Sequence, residues 1–153
     1  MKVCRISPAE PAAQALIAEL DRTMEALYPA ESNHLESIAA LLAPNVCFLG
    51  CYLGKTLAGC GAVKIMEDDG RYGEIKRMFV TPEHRGKGIS AALMQQIEAH
   101  LQENGIPLSR LETGIHSSEA RGLYEKFGYR YREPFGGYKV DPLSVFMEKP
   151  LST

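Results

Sequence analysis

Residues 73–91, GEIKRMFVTPEHRGKGISA, force a strand to end and a helix to begin within a few positions. Ile75, Met78, Phe79 and Val80 supply strand character. Thr81-Pro82 then stops the strand, because proline has no amide for a ladder and drives its neighbour extended. Further on, Ile89, Leu93, Ile97 and Leu101 recur every four residues, the apolar stripe of a helix that Asn104-Gly105 and Pro107 end. Between strand and helix lies Arg85-Gly86-Lys87-Gly88. Without a Cβ at Gly86 and Gly88 the backbone can curl and aim several N–H groups at one point. That point is a helix N-terminus, whose unpaired donors and dipole favour an anion. Arg85 and Lys87 add positive charge. The residues alone leave a merely tight, basic strand-to-helix turn equally open.

The rest of the chain reads as alternating short elements. Residues 2–6 form a strand, and the Pro8–Pro11 stretch opens a helix to about Tyr28 with Leu16, Leu20, Met24 and Leu27 on its buried side. A second helix is expected over residues 32–43, capped by Ser32 or Asn33 and carrying Leu35, Ile38, Ala39 and Leu42. Residues 46–53 and 56–66 are strands around a Gly54-Lys55 hairpin, and a turn at residues 67–70 leads into the strand ending at Val80. After the long helix come a strand at residues 109–115, a helix at 117–127, and strands at 129–132 and 143–148. Leu111, Thr113 and Ile115 are expected on one face. A strand–helix–strand succession allows the strands ending at Val80 and Ile115 to run parallel.

At 153 residues, one domain spanning residues 1–153 is expected. A net charge of −2 gives no nucleic-acid footprint, and no apolar run approaches the roughly 20 residues that span a bilayer. The first residues lack the apolar core of a signal peptide, so a soluble cytoplasmic protein is expected. Cys4, Cys47, Cys51 and Cys60 have no metal-ligand spacing and read as small buried hydrophobes, with no metal expected.

The segment Arg85-Gly86-Lys87-Gly88-Ile89-Ser90 resembles the acyl-CoA signature of the GNAT superfamily of N-acetyltransferases, Q/R-x-x-G-x-G/A. Ser90 stands where glycine or alanine is usual, and is small enough for close approach. A second stretch, HSSEARGLYEKFGY at residues 116–129, is similar to the family's N-x-x-A-x-x-L-Y-E-K-x-G-F/Y. Ser117 occupies the asparagine position, so the amide that would bond a pantetheine arm is absent there. EIKRMFV, LETG and FGGYKVDPLSVFMEK further resemble a poorly defined bacterial subgroup. The strong match covers residues 74–129, while the first 45 residues match in topology alone.

The resemblance implies an α/β (α+β) GNAT fold: a central mixed, mostly antiparallel sheet with a splayed parallel strand pair and helices on both faces. It implies acetyl transfer from acetyl-CoA to a primary amine of a small molecule or peptide, by direct attack in a ternary complex. The main chain of Met78, Phe79 and Val80 would hold the pantetheine arm. Arg85, Gly86, Lys87, Gly88, Ile89, Ser90 and Ala91 would cradle the phosphates, and Ser117 would lie beside the arm. Tyr124 would stabilise the departing thiolate. The chemistry also asks for a group to take the amine's proton, since an alkylamine near pKa 10 is mostly protonated at pH 7. Glu74 is the first candidate and Glu112 the second, with a water chain as the remaining route. His34, Glu31, Glu36 and Tyr138 would flank the acceptor. A homodimer is left open.

Two rivals share the glycine turn. Gly86, Gly88 and Ala91 also satisfy the dinucleotide pattern G-x-G-x-x-G/A, with Glu112 at about the distance for a ribose hydroxyl. An antiparallel meander ahead of the turn argues against it. The other rival is a non-catalytic acyl-CoA-binding sensor, which would keep the turn and have no need of Tyr124. A phosphate loop of the G-x-x-x-x-G-K-[ST] type fails, because Lys87 is followed by glycine.

Overall fold

The computed structural model describes residues 1–152. The strands are β1 (Lys2–Arg5), β2 (Val46–Leu53), β3 (Thr56–Met66), β4 (Tyr72–Val80), β5 (Leu108–Gly114), β6 (Arg130–Arg132) and β7 (Ser144–Pro150). The helices are α1 (Pro11–Leu27), α2 (Ile38–Leu41), α3 (Ile89–Glu103) and α4 (Ser118–Lys126). The element order is the expected one, and the seven strands make one sheet in the order β1-β2-β3-β4-β5-β7-β6. Every neighbouring pair is antiparallel except β4 and β5. This is the mixed α+β sheet that the resemblance implies, with helices on both sides.

The parallel pair is short. It runs only from Gly73 opposite Ser109 to Ile75 opposite Leu111. Beyond Ile75, β4 stays with β3 up to Val80, while β5 stays with β7 down to Gly114. The two strands therefore splay into a V, and among the described residues no strand pairs with the β4 backbone from Lys76 to Val80 on that side. A bulge sharpens the opening. Ala62 pairs with Lys76 but Cys60 with Phe79, so β4 holds one residue more than β3 over this span. Arg77 absorbs the extra residue with φ 58°, a left-handed conformation uncommon outside glycine.

Two apolar clusters cover the sheet. On one face the α3 stripe is complete: Ile89, Leu93, Ile97 and Leu101 are all at most 2% exposed. Each such side chain contributes about 1.5–3 kcal/mol of burial. Tyr124 of α4 and Tyr129 join this cluster. On the other face Leu16, Ile17 and Leu20 of α1 pack with Phe48, Cys60 and Phe79. Cys47, Cys51 and Cys60 are buried and free, as small core hydrophobes, and Cys4 is half-buried.

The second helix differs from the expectation. Only Ile38–Leu41 is helical, capped by Ser37 rather than by Ser32 or Asn33. Both expected caps spend their side chains elsewhere. Ser32 donates to Asp141, and the Asn33 amide reaches the carbonyl of Tyr28 at the end of α1. Arg77 takes the Glu36 carbonyl. These tertiary bonds hold residues 33–37 as a strap across the sheet, against the helical periodicity. Leu41 is buried instead of Leu42, and Leu35 and Leu42 are exposed. Leu27, the last residue of α1, and Ile115, just past the end of β5, are also exposed.

Candidate active site

The V places three spaces end to end. A groove of about 500 Å³ runs between α1, the outer half of β4 and the start of α4, lined by Met78, Phe79, Val80, Arg85, Ser90 and Ser117. It leads to a slot of about 130 Å³, where Glu74, Glu112, Tyr124 and Tyr138 face one another. Groove and slot share Met78, Ser117 and Tyr124. Past the slot a pocket of about 450 Å³ opens between the strap and residues 136–141. Slot and pocket share His34, Glu36, Glu74, Lys76 and Tyr138.

The glycine turn stands at the groove's outer end. Gly86 and Gly88 have φ of 79° and 81°, and a Cβ built on either meets no protein atom within 4 Å. The chain is thus bent left-handed around open space. Gly88 is the N-cap of α3 and supplies no side chain to its first amides, so those donors are left for another acceptor. The Arg85 side chain donates to the Val80 carbonyl at 3.2 Å, fixing the turn to the strand end. Lys87 is exposed beside it. Ile89 points its side chain into the core, so only its backbone faces the turn, and Ala91 lies in the first turn of α3. These features fit a phosphate-bearing ligand: open room, uncapped amides and cationic side chains.

Tyr124 is 5% exposed, on the wall where groove meets slot. Burial pushes its phenol well above the usual range, with no charge or hydrogen-bond partner among the described residues to offset it. The hydroxyl stays protonated and free to donate. Ser117 is held from a direction the sequence did not suggest. Tyr28, the residue ending α1, lies 3.0 Å from the Ser117 hydroxyl and accepts from the His116 amide at 3.0 Å. Its ring stacks on His116. Gly114 makes room: a Cβ there would stand 1.9 Å from the Tyr28 oxygen. Gly114→Ala should therefore dislodge a pinned ring and cost about 1–3 kcal/mol. Calorimetry should show the melting temperature falling by roughly 2–4 °C per kcal/mol. An unchanged melting temperature would mean that Tyr28 is not held there.

Glu74 is buried rather than a solvated strand-end carboxylate. It accepts from the Tyr138 hydroxyl and lies 3.1 Å from the Lys76 ammonium, which also pairs with Glu36 at 2.9 Å. Burial works against ionisation of Glu36, yet Lys76 holds its carboxyl below the ordinary range. Burial, with the Glu74 charge, pushes the Tyr138 phenol up, so it remains the donor. Glu112 lies across the slot, 3.4 Å from the Nδ1 of His34. Burial raises its carboxyl above the usual range against the pull of that ring. Tyr28 and Arg77 are the site-shaping residues that sequence reading missed. A tyrosine at a helix end and a basic residue inside a strand carry no motif, although Arg77 interrupting an apolar run was a faint signal.

Comparison with known proteins accords with this geometry. The sequence model of the acetyltransferase (GNAT) family matches residues 13–129. An IAA acetyltransferase of Azospirillum brasilense is 46% identical over 149 residues, covering 97% of each chain. A solved structure from Klebsiella pneumoniae, assigned as an acyl-CoA N-acyltransferase, superposes with a TM-score of 0.84 at 37% identity. It covers 99% of this chain and 97% of its own. An N-acetyltransferase from Thermoplasma acidophilum, solved with coenzyme A, shares the fold at 20% identity. Its TM-score is 0.71, over 97% of this chain and 98% of its own.

Proposed function

Because the chain belongs to the GNAT acetyltransferase family, we propose that residues 1–153 form one domain moving an acetyl group from acetyl-CoA to a primary amine. The acceptor is a small molecule or peptide that enters through the 450 Å³ pocket, and the reaction is direct attack in a ternary complex. The observation that carries this reading is the continuity of groove, slot and pocket, with Tyr124 at the first junction. Two substrates can then occupy opposite arms at once and meet in the slot. Holding both in attack geometry is worth up to about 7–11 kcal/mol.

Bound acetyl-CoA supplies the activated thioester. Gly86, Lys87, Gly88 and the first amides of α3 hold its phosphates, and Arg85 and Ser90 line the same end of the groove. The unpaired β4 edge at Met78, Phe79 and Val80 offers backbone groups to the pantetheine amides, as a missing strand would. Ser117 borders the arm opposite, oriented by Tyr28. Tyr124 donates to the sulfur as the C–S bond breaks. A phenol pushed up by burial does this as a hydrogen bond rather than by surrendering its proton to a thiolate whose acid lies near 8.5. Glu74 is the anion that the incoming amine meets, within the Lys76 and Tyr138 network. The protein is proposed to work in the cytoplasm, where acetyl-CoA is made. Among the described residues no helix is long and apolar enough to cross a membrane.

A thermal-shift comparison tests the cofactor. Acetyl-CoA at 100 times its Kd should stabilise the fold by about 2.7 kcal/mol, and NAD should leave the melting temperature unchanged. A shift with NAD and none with acetyl-CoA would restore the dinucleotide reading.

A further inference from the structure

Each carboxylate that lines the slot is compromised by its surroundings. Glu74 already accepts from Tyr138 and pairs with Lys76, and Glu36 pairs with the same ammonium. Glu112 is only 13% exposed and stands behind an imidazole. That imidazole, His34, is the accessible member of the group at 32% exposure, and it borders both the slot and the acceptor pocket. It is fixed twice. Its Nδ1 lies 3.4 Å from Glu112, and its ring meets Tyr138 edge-on at 5.2 Å between centroids. The strap carrying it is bolted down on both sides, by Ser32 and Asn33 before it and by the Arg77 bond to the Glu36 carbonyl after it.

We propose that the imidazole of His34, oriented by the Glu112 carboxylate, takes the proton from the attacking amine. This rests on the acetyltransferase reading above. Nδ1 is the ring nitrogen that approaches Glu112, at 3.4 Å, and a proton carried there would leave the Nε2 lone pair for the amine. As the N–C bond forms, the amine proton passes to Nε2. The C–S bond breaks with its electron pair on sulfur, held by the Tyr124 hydroxyl, and the imidazolium then returns its proton through solvent to the thiolate. The products are the amide and free thiol, with His34 neutral again. Glu112 is a positioning residue: it selects the tautomer and stabilises the imidazolium.

The groups facing the ring set the expected pH behaviour. Glu112 approaches from β5, Glu74 and Lys76 from β4, and Tyr138, Lys139 and Asp141 from the β6–β7 loop, with Glu36 on its own strap and Glu31 just before it. A general base works only in its unprotonated form, so kcat/KM should rise with pH through an inflection that reports this base. In His34→Ala, kcat should fall by about 10²–10⁴-fold, that inflection should vanish, and added imidazole should restore part of the rate. In Glu112→Gln the inflection should move to lower pH, because the imidazolium loses its anion. A role in folding alone would not move it.

The experiment pairs acetyl-CoA with tyramine, spermidine and L-lysine as probe amines, following coenzyme A release across pH. Calorimetric acetyl-CoA binding is measured on each variant. Retained acetyl-CoA affinity with lost turnover and imidazole rescue supports His34. A His34→Ala enzyme with intact affinity, a rate within threefold of the parent and an unchanged pH profile overturns it. Should His34→Ala fail to bind acetyl-CoA, His34→Gln and the Glu112→Gln profile decide instead. If the parent protein binds acetyl-CoA but releases coenzyme A with none of the amines, the acetyltransferase reading fails and this assignment with it.

Discussion

Replacing Tyr124 by phenylalanine should leave acetyl-CoA affinity nearly constant while turnover falls by about 10²–10⁴-fold, the usual worth of a positioned donor. The ring is 5% exposed and part of the α3-side cluster, so phenylalanine keeps its packing and removes only the hydroxyl. That hydroxyl has no partner among the described residues, and its removal orphans nothing. The fold should therefore be as stable as the parent or slightly more so. An interaction that matters only once sulfur gains charge appears in kcat and leaves cofactor binding alone. If Tyr124 were only a core aromatic, the variant would keep nearly full activity. Kinetics and calorimetry on one preparation separate these outcomes, and activity within threefold of the parent sinks the donor role.

The second large effect belongs to the glycine turn. Gly88→Val should weaken acetyl-CoA binding by a hundredfold or more. At φ 81° a β-branched residue is strained, and relaxing it would swing the first α3 amides away from one focus. Losing two charge-assisted hydrogen bonds at about 1.5–3 kcal/mol each is enough for that factor. The folding cost should be smaller, about 1–2 kcal/mol. Gly54 in the β2–β3 hairpin makes the control, since it too has positive φ with open space around it and lies away from the groove. Gly54→Val should cost similar stability and leave affinity untouched. Equal losses of affinity in both variants would reduce the turn to plain structure.

What could be read in the chain follows from how local the cause was. The α3 stripe, the Pro82 stop and the Gly54-Lys55 hairpin rest on neighbours in sequence, and all appear at or near the expected positions. The order of elements was legible for the same reason. The splay of β4 from β5 was expected only through family resemblance, and its cause is not local. The bulge at Arg77 depends on register with β3, which no spacing within β4 reveals. The strap at residues 33–37 has a helical periodicity but does not fold as helix. Asp141 and Arg77, remote in sequence, outbid the helix for its polar groups. The site was half legible. The motif residues Arg85, Ser90, Ser117 and Tyr124 line one groove, whereas Glu74 is a buried, paired group. The sequence marks His34 only as a polar residue near the acceptor, since its meeting with Glu112 joins positions 78 residues apart through the V.

The most direct test of the central claim is coenzyme A release by the parent protein with acetyl-CoA and a panel of primary amines. Mass spectrometry of the amine should be run alongside. Thiol release that depends on the amine, matched by acetylation of that amine, is the expected result. Tight acetyl-CoA binding with no thiol release and no acetylated product across the panel would contradict it, and would make the chain an acyl-CoA sensor instead of an enzyme.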